Sequence, residues 1–149
     1  MVDIPDAHPR KDSLLARKKI VEASTDGLLA ASAMIAHGRG EAFDYLLGEK
    51  TTDSARLAIR EVAARLLDSD NPVISVNGNT VVLAGKELVR VATVLSCPIE
   101  VNLYYRTPER VSGLLALLEK QRHIVSKESG PEGFDGDWGK AVGEVGFLG

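Results

Sequence analysis

The chain has 149 residues, a formal net charge of −3 and a single cysteine, Cys97. That length suits one domain with a sizeable core, and the slightly acidic balance leaves no electrostatic footprint for nucleic acid. One cysteine excludes an internal disulfide framework and fits a reducing, cytoplasmic setting. No apolar run approaches a membrane span, and the first residues, with Asp3 and Asp6, lack the apolar core of a secretory signal.

Residues 1–12 read as an extended arm, because Pro5 and Pro9 push Ile4 and His8 away from helical geometry. Asp12 or Ser13 can cap a first helix over about 13–25, which Asp26-Gly27 then ends. Arg17 falls between Ile20 and Val21 on the helical wheel. A guanidinium in an apolar face either snorkels to water or meets an anion in a crevice. Residues 28–36 are almost wholly apolar or small and read as a buried helix.

Residues 35–49 then gather His37, Arg39, Glu41, Asp44, Tyr45 and Glu49. The glycines at 38 and 40 flank Arg39, so the expectation is a turn that approaches a ligand closely, with a helix starting near Gly40. Two readings stand at this point: an anion or nucleotide site, or a solvated junction between helices. Glu41 or Asp44 could also hold Mg²⁺ through water.

Gly48 closes that helix, and Thr51 or Thr52 caps the next. Over 54–67, Ala55, Ile59, Val62 and Leu66 form an apolar stripe opposite Arg56, Arg60 and Arg65. Asn71-Pro72 breaks the helix, and Val73-Ile74-Ser75-Val76 reads as a short buried strand, parallel to its neighbour. It runs into Asn77-Gly78-Asn79. A hairpin turn is one reading of that tripeptide; a strand-to-helix turn, with the helix clear from Lys86, is preferred, and it puts Asn77 and Asn79 where open α/β sheets bind ligands.

A second strand alternates Ile99, Val101 and Leu103 with Glu100, Asn102 and Tyr104. Thr107 and Pro108 then start a helix whose stripe is Val111, Leu114, Leu115 and Leu118. Tyr105 and Arg106 precede that N-terminus, where an anion could bind; the plainer reading of Arg106 is a surface charge. Residues 123–126 suggest one more short strand. Seven of the fourteen glycines fall in the last twenty residues, so poor order is expected from about 127 onward. Cys97 reads as a buried structural residue. There is no Walker A sequence, no GxGxxG and no Cys/His spacing for zinc.

Four blocks carry a resemblance: IPDAHPR over 4–10, MIAHGRGEAFDYLLGE over 34–49, NPVISVNGN over 71–79 and IEVNLYYRTPER over 99–110. Together they closely resemble archaeal phosphopantothenate synthetase, also called 4-phosphopantoate–β-alanine ligase, from residue 1 to about 125. The resemblance implies an α/β, Rossmann-like three-layer fold with a helical N-terminal segment and a short, mostly parallel sheet, in a homodimer. It implies an ATP-dependent ligase of coenzyme A synthesis that joins 4-phosphopantoate to β-alanine, through an acyl-adenylate, with AMP and diphosphate formed and Mg²⁺ in attendance. By the matching positions, Arg17 and Arg39, with His37, Gly38 and Gly40, are expected on ATP. Asn77, Asn102 and Arg106 are expected at the reacting acyl group, and Asn79 and Tyr105 on the substrate.

The family's second half carries an Asp-Gly-Asp-Arg-Thr-like loop and an Asn-Pro-Leu-Ser-Arg-like loop, and neither occurs here. The expected organisation is therefore the N-terminal part of such a domain over 1–126 and a glycine-rich tail over 127–149. A truncated or frame-shifted member follows as an expectation, and with it an alternative: a chain that binds ATP or phosphopantoate, or only dimerises, without catalysis.

Overall fold

The computed structural model describes residues 4–129. Successive turns, rather than an extended arm, lead into the first helix: the amide of His8 donates to the Pro5 carbonyl, and that of Lys11 to the His8 carbonyl. Pro9 prepares the second of these turns by fixing its own φ at the turn's second position. Helix α1 (Lys11–Thr25) therefore begins two residues earlier than the capping residues suggest. Arg10 sits at its N-cap position without a side-chain cap bond, and Asp12 lies in the first turn, where its charge suits the helix dipole.

Helix α2 (Ser32–Leu46) corrects the sequence reading twice. First, residues 28–31 are not part of a buried helix. The Leu28 amide donates back to the Ala23 carbonyl, and Leu29 plugs a small cluster with Ile20 and Ala23. Second, the chain does not turn at Gly38 and Gly40. Both lie inside α2, with no positive φ and open space where a Cβ would stand. Each glycine costs about 1 kcal/mol of helix propensity, yet with Ala36 and Ala42 on either side the helix continues. None of its residues is buried, and Ile35 is exposed. Gly48 does end the helical run, at φ 82°, a conformation that suits a residue without Cβ.

Helix α3 (Asp53–Leu67) is capped as expected, the Thr52 Oγ1 accepting from the Ala55 amide at 3.2 Å. The Glu61–Arg65 pair spans one turn at 2.8 Å. No residue of α3 is buried.

Strand β1 (Ile74–Val76) pairs in parallel with β2 (Ile99–Val101), with Ile74 opposite Ile99 and Val76 opposite Val101. Among the described residues the sheet has these two strands. Helix α4 (Gly78–Leu95) crosses between them. It starts directly after β1, not at Lys86, because Asn77 caps it: its Oδ1 accepts from the Thr80 amide at 3.0 Å. Gly78 packs closely there: a Cβ would lie 2.5 Å from a Leu29 methyl, so Leu29 would have to shift. Within α4 the backbone departs from helical geometry at Ala84 (φ −132°, ψ 16°). One turn earlier the Val81 carbonyl accepts from the buried Gln121 amide at 2.9 Å.

Helix α5 (Pro108–Ser129) begins as predicted, with Thr107 Oγ1 accepting from the Arg110 amide at 3.2 Å. It then continues through residues 123–126, where a strand was expected, and through 127–129. The reason is its stripe: Val111, Leu114, Leu118, Gln121 and Val125 repeat at helical spacing and are all buried. Residues 130–149, with the glycine-rich stretch, lie outside the described residues.

The main core joins Ile74, Val76, Val81, Val89, Ile99, Val101, Leu114, Leu118 and Val125, with Cys97 closing it at 1% exposure. Burial pushes the Cys97 thiol up from its ordinary pKa, so it is inert packing rather than a nucleophile. The architecture is α/β and mostly helical: α1, α2 and α3, then β1-α4-β2-α5. Among the described residues no helix is long and apolar enough to cross a membrane.

Candidate functional site

Two grooves adjoin the start of α4, and Asn79 lines both. The larger, of about 1090 Å³, runs between the start of α1, the outer part of α2 and the connection into α3. Arg10, His37, Gly40, Glu41 and Asp44 are in its wall. The smaller, of about 250 Å³, lies between the start of α2, the start of α4 and the turn after β2. Asn77, Gly78, Tyr104, Tyr105 and Arg110 contribute to it, over Leu28 and Leu29.

The larger groove is organised by a charge cluster. Glu41 points from α2 towards α1 and keeps only 9% of its side chain exposed. Arg10 Nη2 donates to Oε1 at 2.7 Å, and Arg17 Nη1 donates to Oε2 at 3.3 Å. The anion that Arg17 meets is thus another side chain, 24 positions away. This also answers the Mg²⁺ expectation at Glu41. Both its oxygens face guanidinium groups, so it is not a fitting metal ligand. Among the described residues no group of three or more His, Cys, Asp and Glu side chains could hold a metal ion. His37 lies one turn before Glu41 on α2, with Nε2 enclosed and without a hydrogen-bond partner; Arg10 Nε is in the same condition.

Around the smaller groove the asparagines hold the backbone. Asn77 Oδ1 accepts from both the amide and the hydroxyl of Thr80, each at 3.0 Å. Asn79 Nδ2 donates to the Ala33 carbonyl at 3.0 Å, tying α4 to the beginning of α2. Arg110 Nη1 donates to the Tyr105 carbonyl at 2.9 Å, which braces the turn before α5. The Tyr104 and Tyr105 rings meet edge to face, with centroids 5.0 Å apart.

The structure therefore gathers some of the expected residues and not others. Asn77, Asn79 and Tyr105 share the smaller groove; His37, Gly40 and Asn79 share the larger. Arg17 stands at the larger one only through Glu41. Arg39 is exposed, and neither it nor Gly38 lines either groove. Asn102 follows β2, its amide bonded to the Val76 carbonyl at 2.8 Å, and it and the exposed Arg106 line neither groove. Sequence reasoning missed Arg10 and Arg110. Arg10 lies in a stretch that reads as an arm, and only its place in the IPDAHPR block could have pointed to it.

Residues 54–132 match the family model described as phosphopantothenate/pantothenate synthetase. The chain belongs to this family. The match takes in α3, both strands, α4 and α5. Among the similar relatives is the 4-phosphopantoate--beta-alanine ligase of Thermococcus onnurineus (strain NA1), 49% identical over 120 residues, which are 80% of this chain and 46% of the relative. The protein of the same name from Methanospirillum hungatei JF-1 is 49% identical over 117 residues, 78% of this chain and 48% of the relative. This phosphopantothenate/pantothenate synthetase family member spans about half the length of the curated relatives it matches.

Proposed function

We propose that the chain is the nucleotide- and substrate-binding half of an ATP-dependent ligase that condenses 4-phosphopantoate with β-alanine in coenzyme A biosynthesis. The observation that carries this reading is the 49% identity over 120 residues to a protein named for that reaction. Two adjoining grooves that share Asn79 support it, since such a ligase must hold a nucleotide and an acid side by side.

In the proposed reaction the pantoate carboxylate attacks the α-phosphorus of ATP and diphosphate leaves. The β-alanine amine then attacks the acyl carbon of the mixed anhydride, AMP leaves, and the amine's proton is lost to solvent. Charge builds on phosphate oxygens in both steps, so fixed cations supply the stabilisation rather than a protein nucleophile. Arg17, Arg39, His37, Gly38 and Gly40 are assigned to ATP. Asn77, Asn102 and Arg106 are assigned to the reacting acyl group, with Asn79 and Tyr105 on the acid. Arg17 and Arg39 suit phosphate by forked hydrogen bonding. Arg39, Asn102 and Arg106 line neither groove, so their assignment rests on the resemblance alone. A Rossmann-like three-layer arrangement, a homodimer and a cytoplasmic setting belong to the same reading.

The half-length match favours a second reading, in which these residues bind ATP or phosphopantoate, or only dimerise, without turnover. Diphosphate release with 4-phosphopantoate, β-alanine and ATP, measured beside a full-length relative, separates the two. Turnover establishes the ligase. A folded chain with calorimetric binding but no diphosphate supports the binding module. If neither ATP nor phosphopantoate raises the melting temperature, both ligand readings fail, because a ligand of the native state must stabilise it.

A further inference from the structure

We infer that Glu41 is a positioning residue, which holds Arg10 and Arg17 as a paired guanidinium clamp for the polyphosphate of a nucleotide at the end of the larger groove. The inference rests on the nucleotide reading above and names how that site is built.

Glu41 is unusual on its own helix. α2 has no buried residue, yet the Glu41 side chain is only 9% exposed. A carboxylate withdrawn this far from water needs compensating partners. It has two, and it divides them: one oxygen for Arg10 at 2.7 Å, the other for Arg17 at 3.3 Å. A guanidinium carries five N–H donors in a planar fork. In each bond to Glu41 a single nitrogen is engaged, Nη2 of Arg10 and Nη1 of Arg17.

The remaining edge of Arg10 points to a ligand. Its Nε is enclosed and has no hydrogen-bond partner, a state that folded proteins rarely leave uncorrected. His37 Nε2, one helical turn before Glu41 and in the same groove wall, is also enclosed and unpartnered. One unmet nitrogen belongs to the tethered pair itself and the other stands in the same groove wall; an N–H at each matches the multiply accepting oxygens of a phosphate.

The rest of the groove explains why tethering matters. Asp12, Asp44 and Glu49 line it together with Lys50, so away from the clamp its walls are acidic. A guanidinium released from Glu41 would have these carboxylates to turn to. Glu41 thus removes one positive charge from the count and in return holds two cations on one carboxylate.

This leads to an expectation opposite in sign to simple charge counting. The test is calorimetric titration of the whole chain with inorganic triphosphate and with ATP, with melting temperatures recorded for every variant. The expected result is binding by the unaltered chain and at least tenfold weaker binding by Glu41→Gln, despite its less negative charge. Arg10→Lys keeps the charge and the partner but lacks the Nε donor, so it should lose about fivefold and serves if Glu41→Gln does not fold. Arg10→Ala made in the Glu41→Gln background should cost less than the same change in the unaltered chain, because the clamp is already released. Equal or tighter binding by folded Glu41→Gln, or unchanged binding by Arg10→Lys, overturns the clamp while leaving the nucleotide reading intact. An unaltered chain that binds neither probe overturns the nucleotide reading and the clamp with it.

Discussion

The β1-α4-β2-α5 unit and the α2–α3 arm solve opposite problems. In the first, Val81, Val89, Ile99, Val101, Leu114, Leu118 and Val125 are all at 0% exposure. In the second, no residue of either helix is buried, and Phe43, Leu46, Leu57, Ile59, Val62 and Leu67 are exposed by 55–79%. Packing between elements runs through α1, α2, α4, α5 and the strands, with α3 taking no substantial part. The stripe of α3 is amphipathic in sequence, yet none of it is buried among the described residues, and Ala55 and Ile59 only line the larger groove. The unit is stabilised by its own burial, whereas α2 and α3 bury no residue of their own.

The sharpest way to break this comparison is to truncate one large aliphatic side chain in each region. Leu118→Ala removes a fully enclosed side chain and should lower unfolding stability by about 2–5 kcal/mol in urea titration. Ile59→Ala in α3 should change it by less than about 0.5 kcal/mol. Similar losses would mean that the arm is packed after all.

Next in size is Gly85→Ala in α4. A Cβ there would stand 2.0 Å from Gln121 Oε1, so Gln121 must move and release the Val81 carbonyl. A loss of about 1–3 kcal/mol is expected, and no loss in the same titration would show that the α4–α5 contact is looser than drawn. In the arm the same substitution should have the opposite sign. Gly38→Ala and Gly40→Ala add a methyl in open space within a helix, and each should stabilise α2 by about 0.5–1 kcal/mol. Destabilisation would restore the turn first expected around Arg39.

The smallest effect concerns acid. The hydrogen bond from Arg122 holds the Glu119 carboxyl below its ordinary value, and Lys86 and then Arg90 do the same for Glu128. A depressed folded-state pKa contributes stability above the unfolded value of 4.5, which is lost as pH falls through the lower folded value. Both groups are well exposed, so solvent screening keeps the contribution modest. Urea midpoints between neutral pH and about pH 3 should fall less steeply in Glu119→Gln and Glu128→Gln than in the unaltered chain; parallel curves would remove these pairs from the account of acid stability.

Much of the fold was legible because its signals are local. Thr107-Pro108 starts α5, Thr52 caps α3, Gly48 ends the α2 run, and the β-branched Val73-Ile74-Ser75-Val76 contains β1. Each depends on groups within a few positions of one another. Failures came where a local preference was weak and a distant contact decided. Gly38 and Gly40 would equally suit a turn, but α2 docks on α1 as one piece, with Glu41 reaching Arg10 and Arg17. His123 and Val125 could have begun a strand, but Val125 completes the stripe that α5 presses into the core.

By itself, the sequence determined the two parallel strands, the capped starts of α3 and α5 and the family, since each is written in residues adjacent along the chain or in whole blocks such as NPVISVNGN. Only the tertiary structure decided which anion meets Arg17, that Arg10 belongs with it, and that Asn77 and Asn79 brace backbone at the edge of a groove. The physical reason is range. A cap closes over three residues, whereas the Glu41 clamp joins positions 31 and 24 apart, and nothing short of docking α2 against α1 brings those charges within hydrogen-bond distance.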